Sequence, residues 1–240
     1  MRPILTSVAI ASLLVASAAL AQVGQVSASL DIVSAPLTPP ALGNKVHANT
    51  TSGTSVAGTI SSASSKGVLV ACVTTNFPVT GNSISAASST LGSWGSARTF
   101  QLVSGAANQS IVEFTAPFSS SLTSEVVTIS YGAAISFATL DVFEVENAPN
   151  SGYFDGSPVG SNATPSDPLS ISTTNANTLI FGCFRVGVAS PTAGTGFTPV
   201  SGADFQLVEE KTVTTTQSGL SILIGTGVGT SNASVGDAIK

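Results

Sequence analysis

A chain of 240 residues with 8% charged side chains and a net charge of −5 has a neutral, weakly acidic surface, which excludes the basic stripe that phosphate-backbone binding requires. Its 42% hydrophobic content excludes the composition of a disordered chain, which pairs low hydrophobicity with high charge. Globular proteins carry about 25% charged residues, so here Ser, Thr, Ala and Gly must supply most of the solvent-facing surface.

In chain order, Met1-Arg2-Pro3 provides a positive charge, residues 4–20 are uncharged and mostly apolar, and Ala19-Leu20-Ala21 places small residues before a cleavage point. This is the pattern of a secretory signal peptide. It predicts removal of residues 1–21, a mature start at Gln22, an extracellular or cell-surface location, and no membrane association after cleavage. The other readings are a retained anchor, although about 17 apolar residues lies at the lower limit for a span, a strand or helix buried in a larger assembly, and an inert segment. Residues 22–45, with Pro36, Pro39, Pro40 and Gly43, read as a linker or arm.

Residues 46–240 read as one β domain. Short runs rich in β-branched residues alternate with Gly, Ser, Asn and Pro breaks. Strands are predicted over 67–74 (GVLVACVT), 98–103 (RTFQLV), 110–115, 125–131 and 135–146, then over 169–173, 178–186, 205–210, 219–224 and 234–239. No amphipathic helical pattern interrupts them. Many short strands with regular turn signals predict an all-β, two-sheet sandwich.

A weak internal duplication is visible. Ile60-Ser61-Ser62 leads into KGVLVACV, and Ile171-Ser172-Thr173 leads into NTLIFGCF, at one constant offset that superimposes Cys72 on Cys183. Strand alternation puts Val68, Val70 and Cys72 on one face and Leu179, Phe181 and Cys183 on the matching one. Export allows a disulfide between the two cysteines. Two buried thiols are the preferred reading, because Cys is among the most buried residue types and matching positions in a duplicated sandwich need not be adjacent.

The full order is a Ser/Thr-rich lead (48–65), GVLVACV, a Trp-containing loop, RTFQLV, ATLDVFEVENA, Phe154-Asp155-Gly156-Ser157, a second lead (169–177), TLIFGCF and GTGFTPV. It resembles a diffuse group of uncharacterised jelly-roll-like β-sandwich domains found in bacterial secreted or surface proteins and in phage structural proteins. The resemblance spans residues 46–240 and rests on strand and turn patterns. It implies a single jelly-roll-like sandwich, a structural or binding role and no cofactor, and it transfers no catalytic residue.

Residues able to carry chemistry are few. His47 is the only histidine, so any Ser-His-Asp or Cys-His triad would have to use it, and no nucleophile elbow accompanies it. It reads as an ordinary surface or strand-edge histidine. Glu144 and Glu146 share one strand face at about 7 Å, a spacing two glycosidase carboxylates use. Their order departs from the Glu-x-Asp-x-x-Glu pattern of jelly-roll glucanases, and a solvated strand face that discourages edge pairing is the simpler reading. Asp155, Asp167 and Asp204 are isolated acids without the array of a calcium loop. Asp155-Gly156 reads as a turn. The glycosylation patterns at Asn49, Asn108, Asn162 and Asn232 are expected by chance in so Ser/Thr-rich a chain. Trp94 and Tyr153 are the candidate ligand contacts, for a glycan above all.

These features predict a non-enzymatic structural or adhesive module on a cell or particle surface, with protein neighbours or self-assembly as partners and neither cofactor nor metal site. The alternatives are a phage virion accessory protein (capsid decoration, head fibre or tail component) and a weak glycan-binding module.

Overall fold

The computed structural model describes residues 38–76, 83–102, 109–162, 169–225 and 233–240, and within these every regular element is a β-strand. The signal-peptide-like residues 1–21, residues 22–37 of the arm, Asp167, and the Asn108 and Asn232 patterns lie outside the described residues.

The first nine strands are β1 (Ala41–Thr50), β2 (Gly53–Ile60), β3 (Gly67–Thr75), β4 (Ile84–Ser88), β5 (Gly92–Ser93), β6 (Thr99–Leu102), β7 (Ser110–Phe118), β8 (Glu125–Ile135) and β9 (Ala138–Glu146). Seven more follow: β10 (Val159–Ser161), β11 (Leu169–Ile171), β12 (Thr178–Arg185), β13 (Thr198–Ala203), β14 (Gln206–Val213), β15 (Leu220–Ile222) and β16 (Ala233–Ile239). All ten predicted strands are present. The arm ends earlier than expected, because residues 41–45 already belong to β1, which runs antiparallel to β9 from Ala41↔Glu146 to Thr50↔Ala138. A bulge between Leu42 and Lys45 breaks the alternation there, so the sequence carries no period-two signal at that point.

The sandwich class holds, but the sheets number four among the described residues rather than two. Two five-stranded sheets have the orders β1-β9-β3-β7-β6 and β10-β16-β12-β14-β13, a four-stranded sheet has the order β2-β8-β4-β5, and β11 pairs with β15. Alternation along β3 explains the stacking. Leu69, Ala71 and Val73 enter a core shared with Val56, Val127 and Ile129 of the four-stranded sheet. Val68, Val70 and Cys72 enter a second core with Leu179, Phe181 and Cys183. On β12, Ile180 and Phe184 turn the other way, into a third core with Leu169, Ile171 and Ile222. The two large sheets are therefore covered on both faces. That is why β3 and β12 read as unbroken apolar runs rather than alternating ones.

The two halves have the same topology. Strands β10, β16, β12, β14 and β13 occupy the places of β1, β9, β3, β7 and β6, while β11–β15 repeats β2–β8. Among the described residues, strands β4 and β5 have no counterpart. The lead into β3 is rebuilt in the lead into β12. Ser62 N donates to Leu122 O, and its hydroxyl accepts from Leu122 N and donates to Ser64 O, just as Thr173 does with Gln217 and Asn175.

The halves pack face to face like the subunits of a two-fold dimer. Strand β1 of the first half reaches β13 of the second, where Lys45 Nζ donates to Pro199 O at 3.3 Å. Strand β10 of the second half lies against β6 of the first. A residue that touches its own equivalent must lie on the two-fold axis. Cys72 and Cys183, separated by 111 residues, do so, with Cα atoms 6.1 Å apart and a disulfide between them. This corrects the reading of two buried thiols. Both sulfurs are indeed fully buried, but neither cysteine is free, because the axis brings the matching positions together.

Candidate functional site

Two clusters of polar side chains join the large sheets, one around His47 and one around Arg98. In the first, His47 on β1 stands opposite Asp141 on β9 in the strand register. His47 Nδ1 lies 2.7 Å from Asp141 Oδ1, and Nε2 lies 3.0 Å from Asp204 Oδ2. Two carboxylates against one ring require both nitrogens to donate, which is the imidazolium form. The Asp141 hydrogen bond lifts the His47 pKa to about 9 against the opposing effect of burial, with Asp204 adding to the rise. Asp204 in turn is held below its ordinary range, chiefly by its bond to His47. With both nitrogens engaged, the ring offers no lone pair to a substrate. The histidine read as an ordinary surface residue is a clamp between the halves.

Asp204 and Phe205 form the two-residue turn from β13 to β14, with φ of 50° and 65°. Such a turn ordinarily uses Asn-Gly, and a phenylalanine in the left-handed region is strained. The first half holds it in place. Asp204 O accepts from Thr139 Oγ1 at 3.2 Å, and the Phe205 ring meets Phe137 edge-on at 6.2 Å. The next residue, Gln206, is fully buried. Its Nε2 donates to Asp141 Oδ2 at 2.8 Å and to Cys72 O at 2.9 Å, while its Oε1 accepts from Thr74 N at 3.1 Å.

The His47 clamp has a definite pH signature. A folded-state pKa raised from 6.5 to about 9 means that the clamp's stabilisation is complete below pH 6.5 and lost as pH rises through 9. The loss in melting temperature between pH 6.5 and 9 should therefore be larger for the natural protein than for His47→Gln. Parallel pH profiles for the two proteins would disprove the assignment.

In the second cluster, Arg98 Nε donates to Asp237 Oδ2 at 2.8 Å and Nη2 to Gly156 O at 3.1 Å, and the guanidinium lies 3.8 Å over the Phe154 ring. Glu113 on β7 is fully buried beside this pair, and neither of its carboxyl oxygens has a hydrogen-bond partner. Burial, with the charge of Asp237, pushes Glu113 well above the usual carboxylate range, against the pull of Arg98. Burial also raises Asp237 to about 6, against the pull of Arg98.

The remaining acids hold loops. Glu144 is fully buried and accepts from Ala63 N at 2.7 Å, Ser64 N at 3.0 Å and Ser64 Oγ at 2.7 Å, which fastens the lead into β3. A Cβ on Gly43 would stand 2.5 Å from its Oε2, so a larger residue there would push the Glu144 carboxylate off its loop donors. Burial, with the Glu144 charge, raises Glu146. The solvated strand face does not describe Glu144, because β9 is an inner strand and this carboxylate points into a loop. Asp155 does the same for the lead into β12. It accepts from Thr174 N, Asn175 N and the side chains of Thr174, Asn175 and Thr178 at 2.6–3.1 Å. These bonds lower its pKa to about 2 against the opposing effect of burial. The residue read as a simple turn former is thus the counterpart of Glu144, supplied from a different part of the chain.

Trp94 is only 8% exposed and donates from Nε1 to Ser88 Oγ at 3.0 Å within the first core, which corrects its reading as a ligand contact. Tyr153 is half-buried against the second core, its hydroxyl 3.1 Å from Thr115 Oγ1. The two aromatics sit in different layers rather than on one binding face. Sequence reasoning missed Arg98, Glu113, Asp141, Gln206 and Asp237. Glu113 and Asp237 carried a signal, a lone acid inside an apolar strand run, as in SIVEFT and SVGDAI.

Among the described residues, no group of three or more His, Cys, Asp or Glu is arranged to hold a metal ion, and no helix is long and apolar enough to cross a membrane. No protein-family model, curated protein or solved structure matches the chain.

Proposed function

We propose that the chain is a non-enzymatic structural or adhesive module displayed on a cell or particle surface. The observation that carries this reading is the outer face of the four-stranded sheet. Its rows run Ser55–Ser130–Ser85, Ala57–Thr128–Ala87–Ser93 and Thr59–Val126 in register. All are short and uncharged, and all but the half-buried Thr128 are exposed. A neutral face of hydroxyls and methyls has no ion to desolvate and few rotamers to order when another surface closes on it. It suits protein neighbours, further copies of this chain, or a neutral polymer. The internal disulfide supports an oxidising, extracellular setting. His47, Asp141, Glu144, Asp155 and Gln206 are engaged in holding loops and halves together, which supports a scaffold rather than a catalyst.

The expected result is association of the full chain, read by light scattering or sedimentation and by retention on the native cell envelope or particle. Ala87→Arg with Thr128→Arg should abolish that association without lowering the melting temperature. A chain that stays monomeric across the accessible concentration range, and occurs as isolated copies in its native setting, would sink the proposal.

A further inference from the structure

Thr74 lies two residues beyond Cys72 on β3, with its side chain in the sealed layer between the two large sheets. It is fully buried, and its hydroxyl makes no hydrogen bond, an uncommon state for a buried hydroxyl. The backbone N–H of the same residue donates to Gln206 Oε1 at 3.1 Å. The nitrogen end of that amide faces two acceptors, Cys72 O and Asp141 Oδ2. One donor at the oxygen end and two acceptors at the nitrogen end fix which way the amide points.

We propose that Thr74 and Gln206 form an intramolecular ester between Thr74 Oγ1 and Gln206 Cδ, made by the folded protein itself. The hydroxyl oxygen attacks Cδ, and the C=O π pair moves onto Oε1. The resulting oxyanion is already bonded to the N–H of the attacking residue, as in acyl-transfer sites where the nucleophile's own amide forms part of the oxyanion hole. Collapse re-forms the carbonyl and breaks the Cδ–Nε2 bond. The hydroxyl proton ends on the nitrogen, which departs as ammonia, so no oxidant, reductant or other co-reactant is needed. Asp141 accepts an N–H of the departing nitrogen and is braced on its other oxygen by His47. It orients that nitrogen for departure, and the hydroxyl proton passes from Oγ1 to Nε2 within the Thr74–Gln206 pair.

The fold supplies the rest of the driving force. The Thr74 N–H bond to Gln206 Oε1 keeps the amide beside the residue that carries the hydroxyl, which lowers the entropic cost of bringing them together. Thr74 and Gln206 are fully buried and Asp141 is 1% exposed, so water that would hydrolyse the product is kept out. The strained Asp204-Phe205 turn immediately before Gln206 fixes where its side chain begins.

Peptide mapping of the folded full-length protein, reduced and alkylated before trypsin digestion, decides the matter. Cleavage after Lys66, Arg98, Arg185 and Lys211 puts Thr74 in peptide 67–98, Gln206 in peptide 186–211 and Cys183 in a third. The expected product is a branched peptide with the mass of 67–98 plus 186–211 less one ammonia. It should be absent from Thr74→Val and split by hydroxylamine, which cleaves esters and spares amides. Thr74→Val removes a hydroxyl that has no partner, and the natural protein alone is decisive should that variant fail to fold. Recovery of 67–98 and 186–211 as separate peptides of full mass overturns the proposal. So does a loss of ammonia confined to a peptide starting at Gln22, where it marks ring closure of a terminal glutamine.

Discussion

Phe181→Ala is expected to lower the unfolding free energy by about 3–5 kcal/mol. Phe181 is fully buried on β12 and meets Phe143 edge-on, with ring centroids 5.3 Å apart and planes at 76°. It belongs to the core shared by the two halves, and the sheets that form this core are each backed by a further sheet. A cavity there has little freedom to collapse, which places the cost toward the upper end of the range. Val126→Ala is the contrasting case, since Val126 is 39% exposed on the outer sheet and its truncation should change stability by no more than about 0.5 kcal/mol. Denaturant midpoints at constant slope would measure both. An unchanged midpoint for Phe181→Ala would overturn the placement of Phe181 in a buried core, since both faces of β12 are covered.

That face was legible because strand alternation needs only local sequence. Val68, Val70 and Cys72 share the shared-core side of β3, and Leu179, Phe181 and Cys183 share that of β12, as period two requires. The number of layers was harder to read. Unbroken runs such as GVLVACVTT and TLIFGCFR signal burial on both faces, and that implies sheets beyond a simple pair. Strands β1, β2, β4, β10 and β13 were hidden because Gly, Ala and Ser fill much of them. In β2 the sequence GTSVAGTI buries Val56, Gly58 and Ile60 alternately, but with a glycine at the middle position the hydrophobic signal disappears. The clusters were less legible still. His47 was visible as the one histidine, yet its partners Asp141 and Asp204 lie 94 and 157 residues away. Glu144 and Glu146 were paired on local spacing, whereas the backbone donors of the β3 lead that claim Glu144 lie 80 and 81 residues from it. No single-sequence pattern encodes contacts of that range.

Replacing Cys72 and Cys183 together by alanine is expected to cost about 2–5 kcal/mol. The bond closes a loop of 111 residues. In the chain-entropy account, a loop of that length stabilises by about 4.7 kcal/mol through restriction of the unfolded chain, before any change in native packing. The measurement belongs in a Thr74→Val background. A Thr74–Gln206 ester would tie the same two sheets two residues further along β3 and would mask the loss of the disulfide. The effect should appear in the unfolded state. Each half keeps a core of its own, so the native contacts survive, while the released chain expands and exposes more surface. The denaturant slope should therefore rise as the midpoint falls. A fall in stability without a change of slope would locate the effect in native packing instead. Reaction of a thiol reagent with the denatured, unreduced natural protein would show that the two sulfurs are not joined, and would restore the reading of two buried thiols.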